Sequence, residues 1–67
     1  MTISYKKLWK LLIDKEMKKI DLEKEAGISH YAMYKLGRNE NVTVDVLAKV
    51  CKALNCTMDD ILEIIND

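Results

Sequence analysis

Proline is absent from this chain of 67 residues, and glycine occurs only twice. Both residue types interrupt helices, so their scarcity, together with many Leu, Lys, Glu, Met and Ala residues, favours an all-α fold. The chain also lacks an apolar run long enough to cross a bilayer. Lys10, Asp14, Lys15 and Glu16 interrupt what would be the apolar region of a signal peptide. We therefore expect a cytoplasmic protein.

Cysteine is also scarce, since Cys51 and Cys56 are the only two. They lack the C-x-x-C spacing, and two thiols are too few for a secreted disulfide scaffold. A zinc site would require both cysteines, His30 and a carboxylate to converge. Cys51 falls on the apolar face of a predicted helix, where a small buried cysteine is the commoner use. The sequence thus predicts no metal and no small-molecule cofactor.

An excess of charge of one sign is absent overall, because eleven Lys and Arg residues balance eleven Asp and Glu residues. The distribution along the chain is uneven. Residues 1–38 carry nine basic and five acidic side chains, a net charge of +4, whereas residues 39–67 carry two and six, a net charge of −4. The basic half of the chain is therefore suited to bind an anionic partner such as nucleic acid, while the acidic half favours solubility.

The apolar periodicity predicts five helices in one small domain. Serine or threonine is placed to cap four of them: Ser4 for helix 1, Ser29 for helix 3, Thr43 for helix 4, and Thr57 with Asp60 as a capping box for helix 5. The predicted helices are, in order, Tyr5–Lys15, Lys19–Ala26, His30–Leu36, Val44–Leu54 and Met58 to Ile64 or Ile65.

Three residues are expected to end helices in the left-handed conformation: Gly27, Gly37 and Asn55. The acidic fifth helix, which would carry Leu62, Ile64 and Ile65, is a candidate dimer surface, because a domain this small gains stability from a partner.

The third helix has two chemically distinct sides. A helical wheel places Ala32, Met33 and Leu36 on the side of Ser29, and places His30, Tyr31, Tyr34 and Lys35 on the opposite side. The outward side chains can donate hydrogen bonds to phosphates or base edges, and a tyrosine ring can pack on a thymine methyl group. The alternative is that the two tyrosines pack sideways on helix 1 or helix 4.

A family resemblance is carried by residues 18–62, KKIDLEKEAGISHYAMYKLGRNENVTVDVLAKVCKALNCTMDDIL. Its most specific features are LxxxAGIS, which begins at Leu22, and the correctly spaced tail that ends in DDIL. This segment resembles the Cro/C1-type, or Xre-type, helix-turn-helix domain of bacterial and phage regulators. The resemblance implies a compact five-helix, lambda repressor-like domain over residues 1–67, with the helix-turn-helix at about 19–36.

The resemblance also implies a function, namely a transcriptional regulator, most simply a repressor, that binds double-stranded DNA as a homodimer. Helix 3 would lie in the major groove. The lysine and arginine side chains would dock on phosphates, and the histidine and both tyrosines of helix 3 would read base edges. Carried over by position, the DNA-binding residues are Lys19, Ser29, His30, Tyr31, Tyr34, Lys35, Arg38, Asn39 and Asn41.

Other classes of function remain as alternatives. Zero net charge and a tyrosine-rich face are also typical of a protein-interaction module, such as an antitoxin or regulatory partner, on the same fold with weak or no DNA binding. Residues 5–15 resemble a membrane-surface helix, although Asp14 and an available core favour packing. An enzyme is the least favoured class, because Ser29 and His30 are adjacent in sequence and no third residue orients them.

Overall fold

The computed structural model describes residues 2–66, which form four α-helices, one 3₁₀ turn and a two-stranded sheet. In chain order these are β1 (Thr2–Ser4), α1 (Lys6–Asp14), α2 (Lys19–Ala26), α3 (His30–Gly37), α4 (Val44–Leu54), the 3₁₀ turn Met58–Asp60 and β2 (Glu63–Ile65). The fold is mostly helical, as predicted, but the predicted count of five helices is not matched, and a small two-stranded sheet is present. No helix of the described residues is long and apolar enough to cross a membrane.

The helix ends that depend on Gly27, Ser29, Thr43 and Asn55 are confirmed. Helices α2 and α4 have the predicted bounds, and α3 begins at the predicted residue. The Ser29 hydroxyl accepts a hydrogen bond from the Ala32 amide at 3.0 Å, and the Thr43 hydroxyl accepts one from the Val46 amide at 3.3 Å. Each bond satisfies an amide that the first turn of a helix leaves without a backbone partner.

Helix α1 is one residue shorter at each end than predicted, and its N-cap is Tyr5 rather than the predicted Ser4, which belongs to strand β1. The Ser4 hydroxyl still accepts a hydrogen bond from the Lys6 amide at 3.3 Å. The wide apolar arc of α1 is unevenly covered, since Leu8 and Leu12 are buried whereas Ile13 is 74 % exposed. Part of that arc is therefore a surface feature.

The two glycines differ in role, contrary to the prediction. Gly27 ends α2 in the left-handed conformation, with φ of +68°. Gly37 is the last residue of α3 and is not left-handed; the positive φ of 58° falls on Asn39, two residues later. Helix α3 continues through Gly37 because the chain reverses only where the Asn39 side chain bonds to the Tyr5 amide, at 3.0 Å.

Alanine substitutions at the two glycines are expected to shift stability in opposite directions. Gly27→Ala places a Cβ on a left-handed residue and should lower the free energy of unfolding by about 1–2 kcal/mol. Gly37→Ala adds a helix-favouring residue whose Cβ would lie 4.0 Å from Lys19 Nζ, which is an ordinary contact. This substitution should raise the free energy of unfolding by up to about 0.5–1 kcal/mol. Urea denaturation of both variants measures the two changes in the free energy of unfolding. Equal losses of stability would contradict the different backbone conformations of the two glycines.

The predicted fifth helix is instead a 3₁₀ turn followed by a strand. The Asp60 carboxylate accepts a hydrogen bond from the Thr57 amide at 3.0 Å, so the predicted cap is present but starts only one turn. Residues 63–65 then pair antiparallel with residues 2–4, in the register Thr2↔Ile65, Ile3↔Ile64 and Ser4↔Glu63. Isoleucine and threonine favour a pleated strand when a partner is available, and here β1 supplies that partner.

The core lies between the four helices and the 3₁₀ turn, with α2 packed against α4. Among the apolar residues of α2 and α4, Leu22, Val50 and Leu54 are buried, whereas Leu47 and Cys51 are only partly buried. The buried apolar side chains are Tyr5, Leu8, Leu12, Leu22, Ile28, Ala32, Met33, Leu36, Val50, Leu54 and Ile61. This core fixes α2 and α3 against one another and leaves their outer faces in solvent.

Candidate nucleic-acid interface

Helices α2 and α3 are joined by a tight turn of three residues. The Gly27 amide donates a hydrogen bond to the Glu23 carbonyl at 3.1 Å, and the left-handed glycine redirects the chain. Ile28 is buried in the core, and Ser29 then caps α3. The turn thus places the N-terminal half of α3 on the protein surface beside α2.

The outward side of α3 is exposed, as the helical wheel predicts. We name this surface the recognition face and define it by His30, Tyr31, Tyr34 and Lys35. The two tyrosines are 67 % and 54 % exposed, so they are not buried against α1 or α4, and the alternative of sideways packing is wrong. On the opposite side, Ala32, Met33 and Leu36 are buried. Large exposed aromatic side chains of this kind are typical of binding surfaces.

Each predicted phosphate-contacting cation lies over an aromatic ring. Lys19 Nζ is 4.6 Å from the centroid of Trp9, Lys35 Nζ is 5.2 Å from that of Tyr31, and the Arg38 guanidinium carbon is 5.5 Å from that of Tyr34. Cation–π contacts at these distances restrain long side chains that otherwise lose much conformational entropy on binding. The three cations are therefore held at the surface around the recognition face.

Trp9 lies beside the candidate interface, although the sequence analysis did not assign it there. It lies on α1, is partly buried, and reaches Lys19 at the start of α2. The available signal was the apolar arc of α1, which is wider than one packing face requires. Periodicity marks Trp9 as apolar but does not show which cation it contacts.

Arg38 has two further contacts. Its Nε donates to the Glu40 carboxylate at 2.7 Å, and its Nη1 donates to the Tyr34 hydroxyl at 3.2 Å. The ion pair with Glu40 is exposed, so it is weak and leaves the guanidinium available to a competing phosphate.

The loop after α3 is tied to the start of α1. The Asn39 side-chain oxygen accepts a hydrogen bond from the Tyr5 amide, and the Tyr5 hydroxyl donates to the Glu40 carbonyl at 2.9 Å. Asn39 therefore has a structural role, and any DNA contact that it makes comes in addition. Asn41 is exposed and borders a shallow groove that also includes Lys35.

Tyr5→Phe is expected to weaken the fold at neutral pH but to reduce its sensitivity to alkali. Losing the hydroxyl that bonds Glu40 should cost about 1 kcal/mol. Burial raises the pKa of Tyr5 above the ordinary value of 10.0, so the folded chain retains a proton that the unfolded chain releases. The resulting stability is complete below about pH 10 and is lost as pH rises through the folded pKa.

Urea denaturation from pH 7 to pH 11 measures both effects, with exposed Tyr31→Phe as the matched control. The free energy of unfolding should fall less steeply above pH 10 in Tyr5→Phe than in the wild type or the control. Parallel curves for all three proteins would contradict the role of Tyr5.

Residues 7–67 match the family of Cro/C1-type HTH DNA-binding domains. The chain belongs to the Cro/C1-type helix-turn-helix family. A crystal structure (form II) of the transcriptional regulator VanUg is similar to it, with a TM-score of 0.93 and 48 % identity over 98 % of this chain and 88 % of that chain. A comparison with curated protein sequences finds no match.

One departure of this chain from the Cro/C1-type pattern is compensated. Lys18 stands where the family usually has a serine or threonine to cap α2, which predicts a poorly capped end. Instead, the Asp21 carboxylate accepts a hydrogen bond from the Lys18 amide at 3.0 Å. The acid also interacts favourably with the positive end of the helix dipole.

Of the two cysteines of this Cro/C1-type domain, Cys51 lies on α4 and Cys56 follows the end of that helix. Both are free, and burial raises the pKa of both thiols above its ordinary value. The Cys51 thiol donates a weak hydrogen bond to the Met58 sulfur at 3.9 Å. Within residues 2–66, no three His, Cys, Asp or Glu side chains gather as a metal site.

Proposed function

We propose that this chain is a sequence-specific transcriptional repressor that places α3 in the major groove of DNA. The observation that carries the proposal is the arrangement of Lys19, Lys35 and Arg38, each held over an aromatic ring around an exposed recognition face. Such cations dock on phosphates and fix the register of the protein on the duplex. His30, Tyr31 and Tyr34 would then read the base edges.

Three further residues complete the proposed contacts, and residues 1–67 act as one DNA-binding domain. The exposed Ser29 hydroxyl, at the N-terminus of α3, would donate its own proton to a phosphate, since it already accepts from the Ala32 amide. Asn39 and Asn41 would contact the backbone from the loop after α3. Lys19 would act at the start of α2, where free amides and the helix dipole favour an anion.

The test is fluorescence anisotropy on random duplex DNA at salt concentrations from about 50 to 200 mM. Three phosphates neutralised by cations in each protomer give six in a dimer, and affinity should then fall roughly 1,000-fold over this range. Operator selection from a random pool follows if binding is seen. Absence of binding at the lowest salt would overturn the proposal.

A homodimer is part of the proposal. Two-fold pairing would set two copies of α3 about 34 Å apart, one turn of DNA, on a near-palindromic site. Ile64 and Ile65 of β2 are exposed, at 55 % and 41 %, and offer an apolar contact surface even though they do not lie on a helix. Sedimentation equilibrium with and without operator DNA measures the oligomeric state of the protein. A monomer in both conditions would overturn the proposed homodimer.

Glu40→Gln is expected to strengthen DNA binding. The glutamate is the ion-pair partner of Arg38, at 2.7 Å, and it also repels phosphates. An exposed ion pair is worth about 0.2–1 kcal/mol, so its removal should raise affinity by roughly 1.5- to 5-fold per protomer at low salt. Anisotropy titrations at two salt concentrations measure the change, with Asp59→Asn, which removes one negative charge from the exposed 3₁₀ turn, as the matched control. Weaker binding of Glu40→Gln would contradict competition for Arg38.

A second candidate function is a protein-interaction module on the same fold. The observation that favours it is the exposed apolar surface formed by Ile20, Tyr31 and Tyr34, all at least half exposed. A protein partner would bury these side chains without requiring phosphate contacts. Charge reversal at Lys35 distinguishes the two functions, as argued in the Discussion.

A further inference from the structure

An acidic side chain borders the recognition face. Glu23 lies on α2, its side chain is only 14 % exposed, and its carboxylate faces the first residue of α3. The shallow groove between the two helices also contains Lys19, Ile20, His30, Met33, Tyr34, Gly37 and Arg38. A carboxylate this poorly solvated requires a hydrogen-bonding partner.

That partner is His30. Its Nδ1 lies 3.3 Å from Glu23 Oε1 and 3.5 Å from Oε2. The neighbouring cations have other contacts, since Lys19 lies over Trp9 and Arg38 pairs with Glu40. Among residues 2–66, no lysine or arginine forms an ion pair with Glu23. The imidazole is therefore the group that the carboxylate orients.

The chemistry of this pair determines where the imidazole proton lies. An ionised carboxylate only accepts hydrogen bonds, so Nδ1 must carry a hydrogen to interact favourably with Glu23. A neutral imidazole has one such hydrogen, and its other nitrogen is then an acceptor. We propose that Glu23 is a positioning residue that fixes neutral His30 in the Nδ1–H tautomer and leaves Nε2 as an acceptor on the recognition face.

The consequence for base reading rests on the proposed function of α3. In the major groove, adenine N6 and cytosine N4 donate hydrogen bonds, whereas guanine O6 and N7 and thymine O4 accept them. An Nε2 acceptor therefore pairs with an amino group and is repelled by the guanine edge. His30 would select adenine or cytosine at its position, the opposite of the preference of an arginine or lysine.

The tautomer is tested in the free protein by ¹⁵N NMR of the imidazole at pH 8, above the ordinary titration range of histidine. His30 is the single histidine, so its two nitrogen signals need no assignment by mutagenesis. We expect Nδ1–H in the wild type and a shift towards Nε2–H, the form that a free histidine side chain favours, in Glu23→Ala. Exposed Glu25→Ala, on the same helix, removes the same charge and should retain Nδ1–H. An Nε2–H majority in the wild type, a doubly protonated ring, or no change in Glu23→Ala would overturn the proposal.

Base selection is tested by enriching duplexes from a random pool with the same three proteins. The wild type and Glu25→Ala should enrich adenine or cytosine at one position of each half-site. In Glu23→Ala, the base preference at this position should weaken roughly three- to tenfold, and the preferences at the other positions of the half-site should be unchanged. An unchanged preference at every position in Glu23→Ala would overturn the acceptor role. If the wild type binds no duplex, the proposed function and the base selection fail together, while the NMR result decides the tautomer independently.

Discussion

Replacing Lys35 with glutamate is expected to abolish DNA binding, with an affinity loss of at least roughly 100-fold at low salt. Lys35 is partly buried on α3, and its ammonium lies 5.2 Å from the Tyr31 ring, so the charge is held on the recognition face. In the proposed dimer, the carboxylate of each protomer would face the phosphates of its own half-site. Each lost phosphate contact should also reduce the salt slope by about one.

Lys52→Glu is the matched control for this charge reversal. Lys52 is exposed in the last turn of α4, so the net charge changes equally while the recognition face is intact. Anisotropy titrations of both variants, after circular dichroism has shown that each is folded, measure the difference. Wild-type affinity in Lys35→Glu would contradict α3 as the DNA-reading element. In that case, Tyr31 and Tyr34 would be examined as contacts with a protein partner.

Features that depend on a few neighbouring residues were predictable from the sequence. The bounds of α2 and α4 follow from Gly27 and Asn55, both left-handed, and from the Thr43 cap. The exposed and buried sides of α3 follow from its periodicity, because every buried position of one helix faces the same core. These signals lie within one turn of the residue that they describe.

Features that depend on distant residues were not predictable in this way. Residues 63–65 form a strand because residues 2–4, at the other end of the chain, supply the partner. A short apolar run does not by itself distinguish a strand from a helix. Gly37 was assigned a helix-ending conformation that belongs to Asn39, because the tie between Asn39 and Tyr5 is also remote in sequence.

The same distinction holds for the candidate interface. A helical wheel treats one helix at a time, so it places His30 on an outward side that has no acid of its own. The structure brings Glu23 of α2 to the imidazole and Trp9 of α1 to Lys19. The residue types of the interface were therefore predictable, whereas the pairs that orient them required the packing of three helices.

Leu36→Ala is expected to have the largest effect on stability. Leu36 is fully buried and anchors α3 to the core, so truncation removes apolar contacts and leaves a cavity. Such substitutions cost about 2–5 kcal/mol. A chain of this length has a total stability of roughly 3–10 kcal/mol, so a large fraction of the molecules would be unfolded near 37 °C. The recognition face would be lost with the helix that carries it.

Ile13→Ala is the control that separates burial from loss of an apolar side chain. Ile13 is 74 % exposed on α1, and its truncation should change the free energy of unfolding by no more than about 0.5 kcal/mol. In thermal denaturation, Leu36→Ala should lower the Tm by at least roughly 10 °C relative to this control. Equal Tm values would show that α3 is not held by Leu36. At 5 °C, we expect Leu36→Ala to recover part of its DNA binding, because cooling repopulates the folded domain and its DNA-contacting residues are unchanged. Lys35→Glu should not bind DNA at any temperature.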